Sequence, residues 1–99
     1  MNIADQGTLA SSPVYRRTDD IVSADVGGAL VLLHTKTWQY IEFEKVGMAI
    51  WNFLETPRDL DTLVKLLTER FAVSPEQCRK ETEDFLTALQ AQELVVRVN

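Results

Sequence analysis

Apolar and polar positions alternate along three consecutive segments in the first half of the chain, then change to helical spacing. Ile21 to Val26 alternates, and Gly27-Gly28 supplies a tight turn tolerant of positive φ. Ala29 to His34 carries the run Leu30-Val31-Leu32-Leu33, which predicts a second strand. After a short polar turn, Trp38-Gln39-Tyr40-Ile41-Glu42-Phe43 alternates again and predicts a third. The three together make a small antiparallel meander.

The rest reads as helix. Lys45 to Glu55 places Val46, Ile50, Phe53 and Leu54 at helical spacing, and Thr56-Pro57 stops it. Asp59 is the N-cap expected for a second helix, with Leu60, Leu63, Val64, Leu67 and Phe71 on one stripe. In Ser74-Pro75-Glu76-Gln77 a serine caps, a proline fits the first helical position, and Gln77 can close a capping box. This third helix should run to about Glu93 and bury Cys78, Thr82, Phe85, Leu86 and Leu89. Leu94 to Val98 reads as a final short strand or an extended tail, and Val14 to Thr18 as an extended lead-in. Met1 to Pro13 is small, polar and aperiodic, a flexible tail ahead of one domain over residues 14–99.

Strands followed by three helices, the last two joined by the short Ala72-Val73 turn, predict an α+β domain. Its arrangement is winged helix-turn-helix-like: a three-stranded antiparallel sheet followed by three helices. So small a sheet needs the helices to cover one of its faces.

Charge narrows the function. A chain of 99 residues makes one domain, and its net charge of −5 argues against a nucleic-acid footprint. Arg16-Arg17 and Arg79-Lys80 are the only adjacent basic pairs, and both sit close to acids. The first residues lack the basic and apolar regions of a signal peptide, and no apolar run approaches a bilayer span. No membrane is expected, and the cytoplasm is the default location. With one cysteine there is no intramolecular disulfide and no multi-cysteine zinc pattern.

No catalytic constellation is visible, so the chain reads as a non-enzyme without metal or cofactor. His34, the sole histidine, reads as a solvated turn residue, and Cys78 as a buried structural thiol. A solvated helix face accounts for Glu81, Glu83 and Asp84 better than acid–base pairing does. Gly27-Gly28 lacks the lysine and following helix of a phosphate loop. The outward start of the third helix carries Glu76, Gln77, Arg79, Lys80, Glu81, Glu83 and Asp84, where acids outnumber bases and would repel DNA phosphates.

The aromatic third strand remains. Alternation puts Ile41 and Phe43 on one face and Trp38, Tyr40 and Glu42 on the other. Nothing after it looks like a neighbouring strand except Leu94 to Val98, so it is expected at a sheet edge. An open edge is a template for a partner strand, which makes peptide capture by strand addition a physical reading of the pattern.

Val31-Leu32-Leu33-His34, Tyr40, Phe43, Val46-Gly47 and Ala49-Ile50-Trp51 resemble the PqqD family. So do Leu60-Asp61-Thr62-Leu63, the Phe71-x-Val73-Ser74-Pro75-Glu76 junction, Phe85-Leu86 and Leu94-Val95. The similarity covers roughly Ile21 to Val96, and the order and spacing of these motifs carry it. The family comprises pyrroloquinoline quinone biosynthesis protein D and related leader-recognition elements of ribosomally made, modified peptides. The resemblance implies a PqqD-like peptide-binding domain without catalysis. A precursor leader is held as an extra antiparallel strand on the third strand, in a groove closed by the third helix. The element then presents it to a modifying enzyme, such as a radical SAM enzyme, a leader peptidase or a cyclase.

Carried onto this chain, the binding residues are Trp38, Gln39, Tyr40, Ile41, Glu42 and Phe43 on the strand. The groove wall is drawn from Cys78, Glu81, Thr82, Phe85 and Leu89. Two positions depart from the family pattern: Trp38 stands where a turn glycine is frequent, and Glu44 where an asparagine-like N-cap is usual. The alternatives are a winged-helix DNA-binding regulator and a structural subunit of an enzyme complex.

Overall fold

Two small antiparallel sheets and three helices make up residues 12–98, the part of the chain that the computed structural model describes. Most of the expected tail, residues 1–11, lies outside them. Strand β1 spans Val14–Arg17, β2 Ile21–Val26, β3 Ala29–His34 and β4 Tyr40–Phe43. Strands β2, β3 and β4 form the meander, in that order. Its register pairs Ser23 with Leu32 and Leu32 with Ile41, and likewise Asp25 with Leu30 and Leu30 with Phe43. Leu30, Leu32 and Phe43 are buried and Ile41 packs against them, so this face of the sheet meets the core.

Both turns of the meander need left-handed backbone. Gly27 (φ 58°) and Gly28 (φ 88°) sit at the centre of the β2–β3 hairpin, where two positive φ values match the strand twist. In the β3–β4 turn, Trp38 N–H donates to the His34 carbonyl and His34 N–H to the Gln39 carbonyl, both at 2.9 Å. Trp38 holds φ 63°, which breaks the strand alternation, and β4 therefore starts at Tyr40 rather than Trp38.

His34 corrects an expectation. Only 2% of its surface is exposed, so it is not a solvated turn residue. Its Nδ1 accepts the backbone N–H of Lys36 at 3.2 Å and of Thr37 at 3.4 Å. The ring thereby satisfies turn donors that the tight backbone leaves over.

The second sheet was not apparent in the pattern. Its centre is β1, flanked antiparallel by β5 (Arg58–Asp59) and by β6 (Val95–Arg97). Thr18 N–H to the Leu94 carbonyl (3.0 Å) and Val98 N–H to the Val14 carbonyl (2.9 Å) extend the pairing beyond β6. The last strand thus joins the lead-in strand and leaves β4 at the edge of the meander.

Helix α1 runs Lys45–Phe53, α2 Leu60–Arg70 and α3 Pro75–Ala91. Asp59 caps α2 as expected: Oδ2 accepts from Thr62 N–H at 3.1 Å and Oδ1 from the Thr62 hydroxyl at 2.6 Å. Ser74 Oγ accepts Gln77 N–H at 3.3 Å, but the Gln77 amide donates to Glu81 Oε2 at 2.5 Å. The capping box is therefore only half formed. Glu44 precedes α1 in extended conformation without a side-chain cap.

At the other end α3 stops two residues before the expected Glu93. Glu93 turns left-handed (φ 60°), with Glu93 N–H on the Gln90 carbonyl and Leu94 N–H on the Leu89 carbonyl, a Schellman ending without glycine. The end of α1 is held from outside the helix. Arg17 donates through Nε (3.1 Å) and a terminal nitrogen (2.5 Å) to the Trp51 carbonyl, and its guanidinium lies 4.6 Å from the centre of the Trp51 ring. Burial lowers the Arg17 pKa from its ordinary value, and nearby Glu55 opposes that.

The helices converge on a core whose fully enclosed side chains are Leu32, Ile50, Leu54, Leu60, Leu63, Leu67, Leu86 and Leu89. Among the described residues no helix is long and apolar enough to cross a membrane, and no group of three or more His, Cys, Asp or Glu could hold a metal.

Candidate peptide-binding edge and groove

The edge of β4 follows from its register. Gln39 bonds to His34 on β3, and an antiparallel ladder alternates, so Ile41 and Phe43 also direct their backbone groups toward β3. Tyr40 and Glu42 then turn their N–H and C=O groups the other way, where no strand lies among the described residues. That side offers two donors and two acceptors at strand spacing.

Side chains sort by the same alternation. Tyr40 (74% exposed) and Glu42 project from the sheet, whereas Ile41 is half-buried and Phe43 buried. Trp38 is 71% exposed, and Gln39 is exposed beside it. The outward aromatics are as expected, although Trp38 is displayed by the turn and not by the strand.

At its far end β4 meets α3. The Phe43 ring lies 5.2 Å from Phe85, edge-on at 64°, and 6.4 Å from Trp51. Gly47 makes this junction possible: a Cβ there would come within 3.3 Å of both Phe43 Cβ and Phe85 Cζ. Directly beyond the junction opens a pocket of about 220 Å³ between the three helices. Cys78, Glu81, Thr82 and Phe85 line its α3 side, and Val46, Gly47 and Ile50 its α1 side. Leu67, Phe71 and Val73 complete it. The volume falls below the ~300–1,000 Å³ of small-molecule sites, so it suits one or two apolar side chains rather than a cofactor.

The wall is apolar with one acid, Glu81, which is tied to Gln77. Cys78 Sγ lies 3.8 Å from the Thr82 hydroxyl, and both residues are buried. The structure thus brings together four of the five expected wall residues. Leu89 stands apart, fully enclosed in the core beneath α3 and out of reach of the groove.

Residues that the sequence reading passed over are Val46, Gly47, Ile50, Leu67, Phe71 and Val73. Val46 and Val73, 42% and 40% exposed, are large apolar side chains left at a helix start and in an interhelical turn. Val73 was the available signal, because it lies between the two apolar stripes, whereas Val46 was read with the stripe of the first helix.

A three-stranded meander that ends on the bare edge of β4, followed by three helices that frame an apolar pocket, defines the class: a winged helix-turn-helix-like α+β domain. Residues 29–95 match the family described as Coenzyme PQQ synthesis protein D (PqqD), and the chain belongs to that family. Among solved structures it is similar to "TbiB1 in Complex with the TbiA(beta) Leader Peptide", with TM-score 0.75 and 31% identity over 81% of this chain and 93% of that one. It is also similar in fold to "Lasso peptide synthetase B1 complexed with the leader peptide", with TM-score 0.73 and 17% identity over 83% and 96% of the two chains. No curated protein matches the chain.

Proposed function

We propose that this protein is a non-catalytic adaptor that captures the leader of a ribosomally made precursor peptide as a fourth strand on β4. The bare edge of β4 beside the apolar pocket carries this reading. Membership of the PqqD family and the likeness to two leader-bound structures support it.

The polarity of the guest follows from antiparallel pairing. A leader opposed to β4 runs from the Phe43 end toward the Tyr40 end. Its residues N-terminal to the paired segment reach the pocket beside Val46 and Gly47. Its C-terminal continuation leaves past the Trp38 turn, which is where the segment to be modified would emerge.

Energetics suit an adaptor. Four ladder hydrogen bonds at ~1 kcal/mol net each give affinity without sequence choice. Two or three apolar leader side chains, at about 1.5–3 kcal/mol each when fully buried, add affinity and set register. Ordering a disordered leader takes back several kcal/mol, leaving roughly micromolar to nanomolar binding. The receiving partner in this reading is a modifying enzyme, such as a radical SAM enzyme, a leader peptidase or a cyclase, and the exchange takes place in the cytoplasm.

The test is titration of the purified chain with the leader encoded beside its gene. Saturable binding at or below the low micromolar range is expected. No binding up to several hundred micromolar would sink the proposal.

A further inference from the structure

The meander has two faces, and the helices cover only one. On the other, Val22, Leu33 and Tyr40 form one row across all three strands, and Ala24, Val31 and Glu42 form the next. Val22 (56%) and Tyr40 (74%) are exposed, as is Ala24, and the central Val31 and Leu33 remain partly open to solvent. Contiguous apolar surface of this kind marks an interaction site more often than chance.

We propose that this outer face docks the enzyme that receives the precursor, a protein offering an apolar patch with a lysine or arginine set to meet Glu42. The proposal rests on the reading of β4 as the leader strand. Two observations select that occupant. Glu42 is the only charge within the two rows and has no ion-pair partner among the described residues, so burial against a purely apolar surface would strand it. A second copy stacked face to face would bury two Glu42 carboxylates with no cation in either set of rows, between chains that each carry a net charge of −5.

The same face is continuous with the leader. A guest strand on β4 alternates its side chains, so every second one joins the Tyr40–Glu42 side of the sheet. An enzyme seated there touches adaptor and guest together, and the leader should tighten its grip. By linkage the enzyme tightens the leader by the same factor.

The test uses the full chain, its leader and the purified maturation enzyme encoded beside it. Val22→Lys places a charge at the edge of the face farthest from β4. It should weaken enzyme binding at least tenfold and leave leader affinity within twofold. Val22→Thr, nearly isosteric and β-branched, guards against misfolding and should weaken the enzyme severalfold with unchanged melting. Unchanged enzyme binding in both variants overturns the proposal. So does a concentration-dependent dimer of the chain alone that Val22→Lys abolishes, which would assign the face to a second copy. If the enzyme binds in a Val22-dependent way but no leader binds, the leader reading fails and the docking surface stands.

Discussion

Trp38 occupies a conformation that glycine adopts at no steric cost. At φ 63° an L-residue gives up roughly 1–2 kcal/mol, and its exposed ring recovers little of that through packing. Trp38→Gly removes the strain but raises unfolded-chain entropy by about 0.5–1 kcal/mol, so it should leave stability equal or up to ~1 kcal/mol higher. Trp38→Ile, β-branched, should lose about 1–2 kcal/mol; urea denaturation of the pair checks both. In the proposed leader capture, Tyr40 presents its backbone to the guest strand. Tyr40→Pro deletes an N–H that faces away from β3, so it should weaken leader binding at least tenfold while melting shifts by only a few degrees. Unchanged affinity would mean that β4 is not the docking edge. His34 shows what a residue's own position hides. A histidine at a strand end reads as solvated, and only the fold of the turn over its ring makes it a buried acceptor for two amides.

Among the elements, the helices announced themselves because their signals are local. Asp59, Ser74 and the apolar stripes lie within a few residues of what they specify, and all three helices start where those caps and stripes place them. Asp59→Ala should destabilise the fold by about 1 kcal/mol at neutral pH, read from the urea midpoint. The Thr62 hydroxyl, with help from its N–H, holds the Asp59 carboxyl below its ordinary pKa. A depressed carboxyl pKa stabilises the native state above the unfolded value of about 3.9, and that contribution disappears as pH falls through the lower native value. The gap between wild type and Asp59→Ala should therefore close on acidification below about pH 4. The end of α3 was less legible, since a left-handed Glu93 has none of glycine's sequence signature. The two-residue β5 and three-residue β6 were less legible still: runs so short do not name their partners.

For the molecule as a whole, binding and folding are linked. A leader that binds only the native state adds ~2.7 kcal/mol at a concentration of 100 Kd. For a domain of this size that raises the melting temperature by on the order of 10 °C. A thermal scan with and without leader checks this, and a shift of a degree or two at saturation would contradict specific binding to the folded form.

The strands of the meander, the three helix starts and the Asp59 and Ser74 caps were determined by the sequence alone. Each depends on periodicity or local hydrogen bonding, which are properties of neighbours along the chain. The bare edge and the pocket were decided by tertiary structure. The pattern left Leu94 to Val98 as a short strand that could neighbour β4 or as an extended tail, and pairing of β6 with β1 is what leaves β4 open. The pocket arises where Val46, Leu67, Val73 and Phe85, far apart in sequence, converge around Gly47. Long-range pairing and shared volume have no counterpart in a local pattern, so only the folded chain could show them.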